Sequence, residues 1–210
     1  RFVISGSSRY WKGKMELLMT RVPDSETAPE TLEIETLVRK TLAGDCRAFE
    51  QIVLQYERRV MTLSSRLLHG IDEAQHATQE VFLRAFKYLH RLDVRRPVEP
   101  WLMRITVNVC RDIQRKTQRR HYTFCEVPLP ETETPGSGPD PYSGFAWEQE
   151  RQRLWTALNA LPEKERMALI LRDVEGFSTA EVAEILGSSE TTVRSQICRG
   201  RLRLKEAMDR

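Results

Sequence analysis

Residues 191–205 read TTVRSQICRGRLRLK, and the way this stretch folds decides the architecture. Val193, Ile197, Gly200, Leu204 and, just beyond it, Met208 recur at intervals of three and four, the period of a helix that packs along one stripe. Arg194, Arg199, Arg201, Arg203 and Lys205 occupy the rest of the same helix. One side is therefore built to pack, while the others carry positive charge that calls for an anionic partner. With the stripe turned inward at about 100° per residue, the opposite face presents Thr191, Arg194, Ser195, Cys198 and Arg199. Arg bonds guanine bidentately, Ser and Thr bond bases or phosphates, and a small apolar group meets a thymine methyl.

The preceding residues set the context for that helix. STAEVAEILG (178–187) fits a capping box from Ser178 to Glu181, leading a short helix that stops at Gly187. Ser189 then caps the basic helix. Helix, tight turn and basic helix make a helix-turn-helix, whose second helix enters a major groove. Thr191, Thr192, Arg194, Ser195, Cys198 and Arg199 are accordingly the candidates near the bases, with Arg201 and Arg203 further along, where phosphate contacts are expected. Upstream, Leu154, Leu158 and Leu161 form a further stripe, and LPEKERMALILRDVEG (161–176) restarts a helix with Pro162 in its first turn.

Between about Thr31 and Arg120 the pattern is again helical. Leu32, Leu37, Val38 and Leu42 suggest a first helix stopped by Gly44, and Asp45 is an N-cap for a second whose stripe is Phe49, Ile52, Val53, Tyr56, Val60, Leu63 and Leu67. A third runs from about Asp72 to Leu89 with Ala74, Val81, Phe82, Ala85 and Leu89 inward, and Pro97 and Pro100 open a fourth. Strand periodicity is absent from the sequence. The expected fold is all-α, with two small helical domains at 31–120 and 148–210. The stretch 121–147, which contains EVPLPETETPGSGPDPYSG (126–144), reads as a flexible acidic linker, and 1–30 as a disordered extension.

Charge is segregated along the chain. Residues 101–120 hold six basic side chains against Asp112 alone, whereas 126–148 hold five acids and no Lys or Arg. The net charge of +3 hides this distribution. Four cysteines, Cys46, Cys110, Cys125 and Cys198, have none of the spacings of a metal site and read as reduced thiols. No Gly-rich phosphate loop, nucleophile–base spacing or ligand cluster is present, so neither an enzyme nor a cofactor is expected. No apolar run is long enough to span a bilayer.

On these motifs the chain resembles the bacterial sigma factors of the extracytoplasmic function (ECF) group. LPEKERMALILRDVEGFSTAEVAEILGSSETTVRSQICRGRLRLK (161–205) is similar to the fourth conserved region of that family. TQEVFLRAFKYL (78–89) and WLMRITVNVCRDIQRK (101–116) resemble its second region, and the two matches come in the right order. The resemblance implies a first domain that binds the clamp helices of core RNA polymerase and melts the −10 promoter element. It implies a second that reads the −35 element as duplex, near the polymerase flap. It places Gln79, Glu80, Arg84 and Ala85 on the polymerase-binding helix. Trp101, Arg104, Ile105 and Asn108 fall on the segment that meets the non-template strand, with Arg111, Arg115, Arg119 and Arg120 along the adjoining backbone. It also implies an anti-sigma partner, no small-molecule substrate, and a cytoplasmic protein open to tethering at the inner membrane by that partner.

The sequence departs from the family at Gln75 and His76, where acids are usual, in VRRPVEP (94–100), and at Gln196 and Cys198. Promoter preference is therefore not carried over from relatives. Two rival readings stand beside the first. One is a stand-alone helix-turn-helix regulator that needs no polymerase; the other is an inactive homologue that sequesters an anti-sigma protein.

Overall fold

The computed structural model describes residues 31–68, 70–93, 96–123 and 144–209, except for the side chains of 31–32, 118–123 and 144–148. The expectations for 1–30 and for most of the linker lie outside the described residues. The described residues form eight helices: α1 (Thr31–Leu42), α2 (Cys46–Leu67), α3 (Ile71–Tyr88), α4 (Val98–Thr123), α5 (Gly144–Asn159), α6 (Glu163–Leu169), α7 (Thr179–Leu186) and α8 (Glu190–Met208). A 3-10 turn, Leu89–Arg91, follows α3, and a π-helical turn, Ile170–Val174, continues α6. No strand occurs among the described residues, and none of their helices is long and apolar enough to cross a membrane.

Local chemistry sets the ends of these helices. Gly44 adopts φ +100°, a conformation that costs a side-chain-bearing residue strain, and so α1 stops there. Asp45 then caps α2, its side chain accepting from the Arg47 amide at 2.9 Å. Gly187, at φ +62°, closes α7: Ser188 N donates to Ala183 O at 2.9 Å and Gly187 N to Glu184 O at 3.2 Å. These two bonds satisfy carbonyls that the helix end would otherwise leave open. Pro162 stands at the N-cap of α6, one residue outside the expected first turn.

Packing groups residues 31–123 with 180–189 in one compact unit, and 144–179 with 190–209 in the other. In the first, α2, α3 and α4 pack on one another and α1 packs on α2. Val60, Leu63, Leu67, Ala74, Ala77, Val81, Ala85, Leu102, Met103, Val107 and Cys110 fill the centre. Each large aliphatic side chain buried there contributes about 1.5–3 kcal/mol. A neighbouring cluster joins Ile34, Val38, Ile52, Leu89, Leu92 and Val98, with Phe49, Tyr56 and Trp101 packed against it. Polar ties hold the basic half of α4 in place. Gln114 Nε2 donates to Leu67 O at 2.6 Å at the end of α2, and Thr117 Oγ1 to Glu73 Oε1 at 3.1 Å.

In the second unit α8 packs on α5 and α6. Leu154 and Leu158 of α5, with Leu161 just after it, meet the expectation of an inward stripe, and Met167, Leu169, Ile170 and Leu171 are fully buried. Val193, Ile197, Gly200 and Leu204 are buried on α8, as their spacing predicts, while Met208 is half-buried.

Candidate nucleic-acid interface

With that stripe inward, the outer face of α8 is defined. Thr191, Thr192, Arg194, Ser195, Cys198 and Arg199 are all exposed. Ser195 Oγ donates to Thr191 O at 3.0 Å, a bond within the helix that leaves the hydroxyl's lone pairs as acceptors. Arg194 pairs with Glu190 one turn back at 2.7 Å, an exposed contact worth little in water. Arg199 has no ion-pair partner among the described residues. Leu202, 58% exposed, continues the line of Thr191, Ser195 and Cys198, and the sequence reading missed it. Its spacing from those residues would have found it.

Arg201 and Arg203 are placed differently from the expectation that they contact phosphate. Arg201 holds both oxygens of Asp173 in the π-helical turn, with Nε at 2.9 Å, and this bond raises its pKa above the ordinary arginine value. Arg203 Nη1 lies 2.9 Å from Glu165 of α6, whose side chain is only 9% exposed. Both guanidinium groups thus bond acids of their own domain, Arg203 while still half-exposed, because they flank the buried stripe instead of opposing it. Nearby, Arg166 is buried, and loss of water pushes its pKa down.

On α4, Arg104, Asn108, Arg111 and Arg115 succeed one another at four, three and four residues and form one face. Arg104, Asn108 and Arg115 are exposed, and Arg111 is half-buried. Trp101 and Ile105 are half-buried, and Trp101 lies against the smaller core cluster. The side chains of Arg119 and Arg120 lie outside the described residues. A row of cations interrupted by an amide on one helix suits a sugar–phosphate backbone.

On α3, Gln79 is exposed, but Ala85 is buried and offers no surface to a partner. It sits on the inward stripe with Ala77 and Val81. Arg84 bridges helices: Nε reaches Glu80 at 2.7 Å and Nη1 reaches Asp112 of α4 at 2.9 Å. The bond to Asp112 is the chief reason its pKa is raised. Sequence reasoning missed Leu83, 67% exposed, and Phe86, 51% exposed, which share the outer face of α3 with Gln79. Phe86 meets the half-buried Phe49 edge-on, with ring centroids 5.0 Å apart. The signal was available, since both residues fall outside the helix's inward stripe.

Residues 52–120 match the family model of sigma-70 region 2, and residues 151–204 match that of sigma-70 region 4. Both regions in this order, with only helices among the described residues, define a sigma factor of the sigma-70 class. The chain is 32% identical over 186 residues to the ECF RNA polymerase sigma-E factor of Escherichia coli (strain K12), covering 86% of this chain and 94% of that one. It is 28% identical over 180 residues to the ECF RNA polymerase sigma factor SigW of Bacillus subtilis (strain 168), covering 83% and 96%. Among solved structures it resembles the sigma factor RpoE in complex with the anti-sigma factor NepR from Bartonella quintana. That match has a TM-score of 0.62 at 25% identity, over 77% of this chain and 96% of the other. The chain belongs to the ECF group of the sigma-70 family. It is a transcription initiation factor that directs core RNA polymerase to promoters, and the region 2 match disfavours a stand-alone regulator.

Proposed function

We propose that the work of this sigma factor is divided between two faces. The outer face of α8 reads the −35 element as duplex through Thr191, Thr192, Arg194, Ser195, Cys198 and Arg199. The face of α4 formed by Arg104, Asn108, Arg111 and Arg115 follows the melted −10 strand, with Arg119 and Arg120 continuing it and Trp101 and Ile105 at its edge. Gln79, Glu80 and Arg84, together with Leu83 and Phe86, meet the polymerase. The observation that carries this reading is the buried stripe of α8, which turns bases, hydroxyls and a thiol outward together. The protein has no catalytic step of its own, since nucleotide addition belongs to the polymerase. It acts in the cytoplasm, and the complex of the related RpoE with NepR supports an anti-sigma factor as its inhibitor.

The test is run-off transcription with purified core polymerase on genomic fragments. Discrete start sites that require both the protein and the polymerase are expected. A sequence-specific footprint by the chain alone, with no transcript, would return it to the regulator class.

A further inference from the structure

Beside the buried stripe of α8, three contacts tie it to α6 and the π-helical turn, and they act at different angles around the helix. Gly200 faces Leu169 so closely that an added Cβ would stand 2.8 Å from Leu169 Cδ1 and 3.4 Å from Glu165 Cβ. Arg201 and Arg203 lie roughly 80° to either side of Val193 on the helical wheel. One grips Asp173 and the other Glu165. The hydrophobic attraction that buries the stripe has no directionality of its own. A fork-shaped guanidinium on a carboxylate does have it. Helix diameter with side chains is about 10–12 Å, so a slip of about 20° carries an outward side-chain tip through roughly 2 Å. That is enough to break a hydrogen bond to a base edge.

We infer that Asp173 and Glu165 are positioning residues: through Arg201 and Arg203 they fix the rotation of α8, and so decide which bases its outer face reads. The inference rests on the proposed −35 reading. It also reassigns the two arginines from phosphate contacts to internal braces. The acids have no contact with DNA in this scheme, so their effect is on sequence preference and not on charge.

The experiment uses the full chain with core RNA polymerase to select from a duplex library randomised over the upstream element, at two salt concentrations, with thermal unfolding of each variant as a control. The variants are Asp173→Asn, which removes one negative charge, Arg201→Ala, which removes one positive charge, and Arg201→Lys, which keeps the charge but loses the fork. All three are expected to change relative preference at adjacent base positions by about fivefold, the equivalent of ~1 kcal/mol, in the same pattern despite their different charges. If Asp173→Asn unfolds, Arg201→Lys carries the comparison. A uniform tightening by Asp173→Asn with steeper salt dependence, and a wild-type pattern for Arg201→Lys, would make Arg201 a phosphate contact and overturn the inference. Unchanged preference in every folded variant would overturn it too. If the wild-type protein enriches no sequence, the −35 reading itself fails, which the wild-type arm shows separately.

Discussion

Arg199 and Arg203 sit one turn apart on α8 in opposite surroundings, the first exposed without an ion-pair partner, the second on a buried carboxylate. Arg199→Ala is expected to relax preference at one or two bases, at a cost of about 1–3 kcal/mol there, with unfolding unchanged. Arg203→Ala leaves Glu165 buried and unpaired, so its main effect is a loss of stability of about 1–2 kcal/mol, discounted for the half-exposed arginine. Thermal unfolding and binding to single-base promoter variants separate the two. Cys110 makes a second test. Burial pushes its thiol from 9.0 up to about 12. The unfolded chain therefore loses this proton at lower pH than the folded one, so stability from this group is intact below about 9 and falls as pH rises toward 12. Thiol reagents near pH 8 are expected to modify the exposed Cys46 and Cys198 and spare Cys110, read by peptide mass mapping. Spacing disclosed that Arg199 points away from the buried stripe of α8, but not that Arg203 turns to an acid of its own domain. It did not disclose the partner of Arg201 either, since Asp173 is 28 residues from Arg201 and nothing local ties them.

The helices were the most legible level, because a 3.6-residue period and a few cap residues are local properties. Asp45 caps α2 and Gly44 and Gly187 end their helices as the sequence indicates. Asp45→Ala is expected to cost about 1 kcal/mol, visible as a lower denaturant midpoint with unchanged slope. The π-helical turn, in which Glu175 N donates to Ile170 O at 2.8 Å, was illegible, for no residue type demands it. Yet that turn carries Asp173, and with it one brace of α8. Gly200 shows how element-level readings compete. Ala at this position would gain about 1 kcal/mol of helix propensity and lose about 1–3 through overpacking on Leu169. Leu169 is fully buried and has little room to yield, so Gly200→Ala is expected to lower the melting temperature.

At the scale of the whole molecule, the pairing of regions made the function legible, and Leu83 and Phe86, which fall outside the inward stripe of α3, form the apolar part of its proposed polymerase face. Leu83→Glu is expected to leave folding within about 0.5 kcal/mol, as exposed changes do. Capture of core polymerase should weaken by about tenfold or more, as for truncation of an interface anchor. A pull-down against Gln79→Ala, whose effect should be smaller, ranks the apolar and polar parts of that face. Equal capture by Leu83→Glu and wild type would remove Leu83 from it.

The outward set on α8 shares none of the three contacts that seat the helix. Thr191, Ser195, Cys198 and Arg199 are exposed, whereas Gly200, Arg201 and Arg203 do the holding. Substitutions at exposed sites shift stability by under about 0.5 kcal/mol. Selection can therefore exchange the outward residues one at a time without first finding a compensating change in the core. On the proposed −35 reading, promoter preference can therefore change at these sites while the residues that seat the helix stay as they are.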